Sequence, residues 1–206
     1  RSEDPSRRVE LLHQIAQLHE DAAADLNNAF ATLARALKED PANDQTQTQI
    51  DRVARATGRF EDLAQVYRQL GAEVVGNDPA LGASLTMMSA RVYESDIGNL
   101  DTAIGLYTKV LDIDATHLAA AESLERLYRQ TERYSDLSLI LKRKAEILQE
   151  PQDQKDALFQ AAAIEEDVLE KPEDAIAVYK KVLAIDEDDV RALDALIKRY
   201  LGLSRW

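Results

Sequence analysis

The stretch Thr102-Ala103-Ile104-Gly105-Leu106-Tyr107-Thr108-Lys109-Val110-Leu111 decides the fold of this chain. Its residues Ala103, Ile104, Tyr107, Val110 and Leu111 recur in steps of three and four, which places them on one face of an α-helix. The same pattern stands on either side of it, as Asn28-Ala29-Phe30-Ala31-Thr32-Leu33 and as Asp174-Ala175-Ile176-Ala177-Val178-Tyr179. Ala29 and Ala103 lie 74 residues apart, and Ala103 and Ala175 lie 72 apart. An unrelated set, Arg59-Phe60, Arg133-Tyr134 and Arg205-Trp206, keeps the same two offsets. Two independent segments on one period identify an internal repeat of about 73 residues.

Four helices fit in each repeat. Apolar residues keep helical spacing through Met87, Ala90, Val92, Tyr93 and Ile97, then Ala103 to Leu111. They continue through Leu118, Ala121, Leu124, Leu127 and Tyr128, and through Leu137, Ile140, Leu141, Ile147 and Leu148. The pairs Asp4-Pro5, Asp78-Pro79, Glu150-Pro151 and Lys171-Pro172 put proline in a first helical turn, where its missing N–H has no partner to lose. Gly58 and Gly98 stand where a helix must reverse, a position that favours positive φ. These signals predict about eleven helices in a single domain over 1–206. The hairpins span 5–41, 43–76, 78–115, 116–149 and 151–187, followed by an unpaired helix over 188–206. The connectors at 71–79 and 149–156 read as longer than the others. Tyr107 and Tyr179 should be buried at equivalent places, and the last helix, from about Asp189 to Leu203, should be the least protected.

Composition agrees with this reading and removes several function classes. Of 206 residues, 45% are hydrophobic and 31% charged, which is enough apolar surface for a folded core. Seven Gly, five Pro and 5% aromatics leave little material for turns between strands. A net charge of −13 argues against nucleic acid and anionic membrane as partners. No apolar run suits membrane insertion. The absence of Cys removes disulfides and thiolate chemistry and leaves the compartment open. The opening Arg-Ser-Glu-Asp-Pro, without an initiator Met, reads as the edge of a longer chain.

Hairpins of about half the repeat period with this pattern resemble the tetratricopeptide repeat (TPR) family. That family's second helix carries a small residue, a large one four later, a small one three later and a proline five beyond. Ala29-Leu33-Ala36-Pro41 follows this without a spacing error. Ala103-Tyr107-Val110 and Ala175-Tyr179-Val182 follow it until Ala115 and Glu187 replace the proline. First helices match through Leu124/Tyr128 and Leu196/Tyr200, while Leu63 and Leu137 depart from the small-residue position. Small residues let paired helices approach, and large ones fill the groove of the next hairpin. The resemblance implies an all-α, right-handed α-solenoid of about five and a half hairpins. It also implies a scaffold that holds a protein partner without catalysis. The partner itself does not transfer, because sites and not scaffolds define function.

Candidate chemistry is sparse, and no enzyme, cofactor or metal site is expected. His13 and His19 do not share a helical face, and His117 sits in the connector Asp112–His117. That connector and Asp186–Asp189 lack the glycine and terminal glutamate of a calcium loop, so helix capping explains their acids better. No phosphate loop or nucleophile elbow occurs. Glu165-Glu166 reads as part of a solvated face.

In a stack of TPR-like hairpins the first helices line a concave groove. The repeat register then aims Glu10, His13, Gln17, Glu20, Ser84, Met87, Arg91, Glu94, Ala157, Gln160, Ile164 and Asp167 inward from odd hairpins. Even hairpins offer Arg52, Arg55, Arg126, Arg129, Arg191 and Lys198. The partner-binding candidates are Arg52, Arg55, Met87, Arg91, Arg126, Arg129, Ile164, Arg191 and Lys198. The basic ladder suits a peptide or helix of a partner protein, acidic ones included. The competing explanation gives those cations to helix dipoles and to acids on neighbouring helices. The Lys/Asn/Arg clamp of the TPR branch that grips C-terminal carboxylates is not implied, since Asn27, Asn28, Asn43, Asn77 and Asn99 fall near turns or on second helices. A second function fits the unpaired last helix and Trp206: end-to-end docking or self-association of a long repeat protein.

Overall fold

The computed structural model describes residues 4–22 and 24–202. Among them lie eleven α-helices and no strand. In chain order these are α1 (Pro5–Asp21), α2 (Leu26–Glu39), α3 (Asp44–Thr57), α4 (Phe60–Val74), α5 (Pro79–Val92) and α6 (Leu100–Ile113). They continue as α7 (Leu118–Gln130), α8 (Tyr134–Ile147), α9 (Pro151–Ala163), α10 (Pro172–Ile185) and α11 (Val190–Gly202). They form two compact units that divide between Ala115 and Thr116. Within each unit every helix packs on the next in sequence, so the fold is all-α and of the solenoid kind.

The helix boundaries follow from local chemistry. Pro5, Pro79, Pro151 and Pro172 each occupy a first helical turn. Asp4, Asp25, Asn43, Asp78, Asn99 and Asp189 accept a backbone N–H from the first turn of the helix that follows. His117 does the same for α7, its Nδ1 accepting from the Ala120 N–H at 3.2 Å. Gly58 and Gly98 take φ of 69° and 77° where the sequence requires a reversal. The long connectors expected at 71–79 and 149–156 are absent, because α4 continues to Val74 and α9 begins at Pro151. Gly71 and Gly82 bring α4 and α5 into close approach: a Cβ on Gly82 would stand 2.8 Å from the Val75 Cα.

The core is laid down by the repeat. Ala29, Leu33 and Ala36, like Ala103, Tyr107 and Val110, are fully buried, and Tyr179 is buried with Ala175 and Val182. Both predicted tyrosines are therefore interior. Leu63 and Leu137, which depart from the small-residue rule, are also buried. The sequence did not reveal two π-helical turns that extend α5 (Tyr93–Ile97) and α9 (Ile164–Val168). Each widens the end of a first helix at the same place in the repeat and aims a glutamate at the facing tyrosine. Leu203 and Trp206 lie outside the described residues.

Candidate functional site

The first helices of unit one flank a cleft of about 720 Å³ between α1 and α3. Its walls include Glu10, His13, Gln17, Glu20 and Arg52, together with Gln14, Asp21, Asn43, Gln45 and Gln49. The amide-rich run Gln45-Thr46-Gln47-Thr48-Gln49 was the unused signal for this surface. Alternate residues of that run serve two purposes. Thr46 is fully buried and meets His13 Nε2 at 2.7 Å, whereas Gln45 and Gln49 point to the cleft. Burial disfavours the charged form of the His13 imidazole and pushes its pKa below the ordinary value.

The basic ladder is largely occupied within the chain. Arg52 on α3 reaches back to Glu20 on α1, its Nη2 donating to Oε1 at 2.8 Å and to Oε2 at 2.7 Å. Arg55 reaches forward to Asp96 beyond α5, at 2.8 Å. In unit two, Arg129 holds Glu125 at 3.0 Å and Gln160 at 3.2 Å, while Glu125 also takes Lys144. The Arg191 guanidinium lies 4.1 Å from the centre of the Phe159 ring. Arg91, Arg126 and Lys198 are exposed.

Two further candidates are less exposed than the arginines. Met87 is 5% exposed and belongs to the core, because one turn of α5 is wedged between α4 and α6. Ile164 is half-buried at the start of the second π-turn. Glu165, read from sequence as solvated, is 4% exposed. The π-turn carries it under α8, where its Oε1 accepts from Ser138 Oγ at 2.5 Å and Lys142 Nζ at 2.7 Å. Burial works to raise its pKa, but those two hydrogen bonds and the charges of Lys142 and Lys171 outweigh it, holding the carboxyl below its ordinary value.

No group of three or more His, Asp or Glu is placed to hold a metal among the described residues. Asp186 and Asp189 instead hold Lys155, at 2.7 and 2.9 Å. No described helix is long and apolar enough to cross a membrane.

No family model matches the sequence, and no curated protein matches it. Solved structures do resemble the chain. A tetratricopeptide repeat protein from Parabacteroides merdae is 16% identical, with a TM-score of 0.46 over 97% of this chain and 75% of the other. YrrB, described as a TPR protein with an unusual peptide-binding site, is 16% identical with a TM-score of 0.43, covering 89% of each chain. The TPR protein TTC0263 of Thermus thermophilus is 16% identical with a TM-score of 0.36, covering 96% of this chain and all of the other. On the strength of its own repeat, its consecutively packed helices and the buried small-large-small spacing of its second helices, the chain is an all-α helical-repeat protein whose hairpins resemble tetratricopeptide repeats.

Proposed function

We propose that this chain is a non-catalytic scaffold that holds a peptide of a partner protein along the first helices of its hairpins. The cleft between α1 and α3 carries the reading. Gln14, Gln17, Gln45 and Gln49 each offer a donor and an acceptor, the complement of a peptide main chain. Its walls hold Glu10, Glu20 and Asp21 against Arg52, which favours a neutral or basic peptide in this unit. An acidic peptide would have to displace Glu20 and Asp96 from Arg52 and Arg55. The test is an array of short peptides of varied charge, read with the intact chain and with Gln17→Ala/Gln49→Ala. The double variant should keep its melting temperature and lose the selected peptides. Equal binding by both proteins would remove the cleft from the function.

A second reading, docking to another copy of this chain, rests on exposed apolar stripes of α1 and α11. Leu11, Ile15 and Leu18 are 38%, 43% and 63% exposed on one stripe of α1. Val190, Leu193, Ile197 and Leu201 form a similar stripe on α11, 39% to 68% exposed. Ile197 and Leu201 fall 72 residues after Glu125 and Arg129, so a polar couple on α7 becomes an apolar one on α11. Light scattering across concentration tests this. Ile197→Glu/Leu201→Glu should abolish any dimer, and a monomer at every concentration would eliminate the reading.

A further inference from the structure

We propose that the cleft between α8 and α10 is a socket for one aromatic side chain bearing a ring donor, a tyrosine or tryptophan of a bound protein segment, whose O–H or N–H is received by Glu165. The inference rests on the scaffold reading but not on the cleft in unit one. The socket measures about 370 Å³, room for a side chain and not for a helix some 10 Å across. Leu139, Leu169, Ala177 and Val178 supply apolar wall, and Glu165 lines it with them. Glu165 Oε1 is satisfied by Ser138 and Lys142, but Oε2 is buried with no donor among the described residues. A buried ionised oxygen without a donor is costly, so an occupant that reaches it gains by bringing one.

The surroundings choose the kind of donor. Lys142, Lys171 and Lys181 stand against Glu165 and Asp174, a balance that repels an inserted ammonium or guanidinium. Lysines at a rim favour the face of an aromatic ring, and the apolar walls favour its body. Leu139 is 62% exposed, although it serves no core. The equivalent places in the first repeat hold Gln65 for Leu139, Ala64 for Ser138, Arg68 for Lys142 and Tyr93 for Glu165. The socket is therefore particular to the second unit and is not a by-product of the repeat.

Titration of the intact chain with indole, N-methylindole, p-cresol and 4-methylanisole, followed by amide shifts of Ser138, Leu169 and Lys171, tests the assignment. Indole and p-cresol should bind about tenfold more tightly than their methylated forms, the worth of one hydrogen bond to a charged group. Glu165→Gln keeps an acceptor toward Ser138 and Lys142 but puts a donor in the place of Oε2, and should erase that preference. Leu139→Gln, a surface change that leaves Glu165 intact, should weaken all four probes and keep the preference. Equal binding of indole and N-methylindole, tighter binding of butylammonium than of indole, or no shift at any probe concentration would each overturn the proposal. Because free indole needs nothing from α1 or α3, failure of this test and failure of the peptide cleft are separable.

Discussion

The phenolic hydroxyl of Tyr107 donates to a carboxylate oxygen of Glu94 at 2.7 Å, and 72 residues later Tyr179 repeats the bond to Glu166 at 3.1 Å. Each bond ties the large residue of a second helix to the π-turn that ends the first helix of the same hairpin. In the first hairpin the corresponding residues are Leu33 and Glu20, and there Glu20 turns to Arg52 instead. Burial, then the charge of Asp167, pushes the Tyr179 hydroxyl above its ordinary value, with Arg191 opposing, so it remains a donor throughout the neutral range.

Tyr107→Phe should therefore keep the ring's burial and lose the hydroxyl's bond to Glu94. A hydrogen bond to a charged acceptor contributes about 1.5–3 kcal/mol, and urea denaturation should show a loss at the lower end of that range. Tyr107→Ala should lose about 3–5 kcal/mol, since an aromatic core cavity is added. Equal losses for the two variants would mean that the hydroxyl, not the ring, holds this hairpin.

Much of the fold was legible because its signals are local. Asp-Pro pairs, capping asparagines and two left-handed glycines mark helix ends without tertiary help, and the buried set Ala103, Tyr107 and Val110 is fixed by spacing alone. The π-turns were not legible, since one extra residue in a helical turn is held by the neighbouring helices it meets. That single shift explains why Glu165 is interior although its sequence neighbours are acidic. The ladder's partners were hidden for another reason: Arg52 and Glu20 are 32 residues apart and Arg55 and Asp96 are 41 apart, so only the folded unit joins them.

Asp51 gives a pH prediction of defined sign. Burial raises its pKa, more than the hydrogen bond from Tyr67 and the charge of Arg55 lower it. The folded state therefore holds this proton more tightly than the unfolded state, and its ionisation costs stability as pH rises from the ordinary value of 3.8 through the raised one. Asp51→Asn keeps an acceptor for the Tyr67 hydroxyl and removes that cost. The variant should equal or exceed the parent in stability at pH 7, with the difference shrinking toward pH 3. A variant that loses stability relative to the parent as pH rises from 3 to 7 would reverse the sign, and a deficit of the same size at both pH values would remove the linkage.

Asp189 works in the opposite direction and governs α11. Its carboxylate receives Lys155 and the Ala192 N–H, and the Lys155 bond, against burial, holds its pKa below the ordinary value. Its contribution is present above the unfolded carboxylate's pKa and is lost as pH falls through the lowered folded one. Asp189→Ala should cost about 1 kcal/mol as a lost cap. Hydrogen exchange should show α11 as the least protected helix of its unit, and the substitution should speed its amides more than those of α9. Uniform exchange across α9 to α11 would show that α11 opens only with the rest.

The arginines of α3 separate a structural role from a binding role. Arg52 and Arg55 side chains are 57% and 62% exposed, whereas their carboxylates on Glu20 and Asp96 are 17% and 11% exposed. Solvent screens such pairs, so each contributes about 0–1 kcal/mol, and removing the arginine mainly leaves a half-desolvated acid behind. Arg52→Ala/Arg55→Ala should lower stability by roughly 1 kcal/mol in total, and adding Glu20→Gln/Asp96→Asn should recover part of it. The deficit should shrink in 1 M salt, where the screening length falls to about 3 Å. A peptide selected on the parent should bind the Arg52→Ala/Arg55→Ala variant within about threefold if, as proposed, glutamine amides hold its main chain. A drop of more than tenfold with stability unchanged would instead mean that the guanidiniums leave Glu20 and Asp96 for the partner. The charge of the partner would then follow from the ladder and not from the carboxylates that line the cleft.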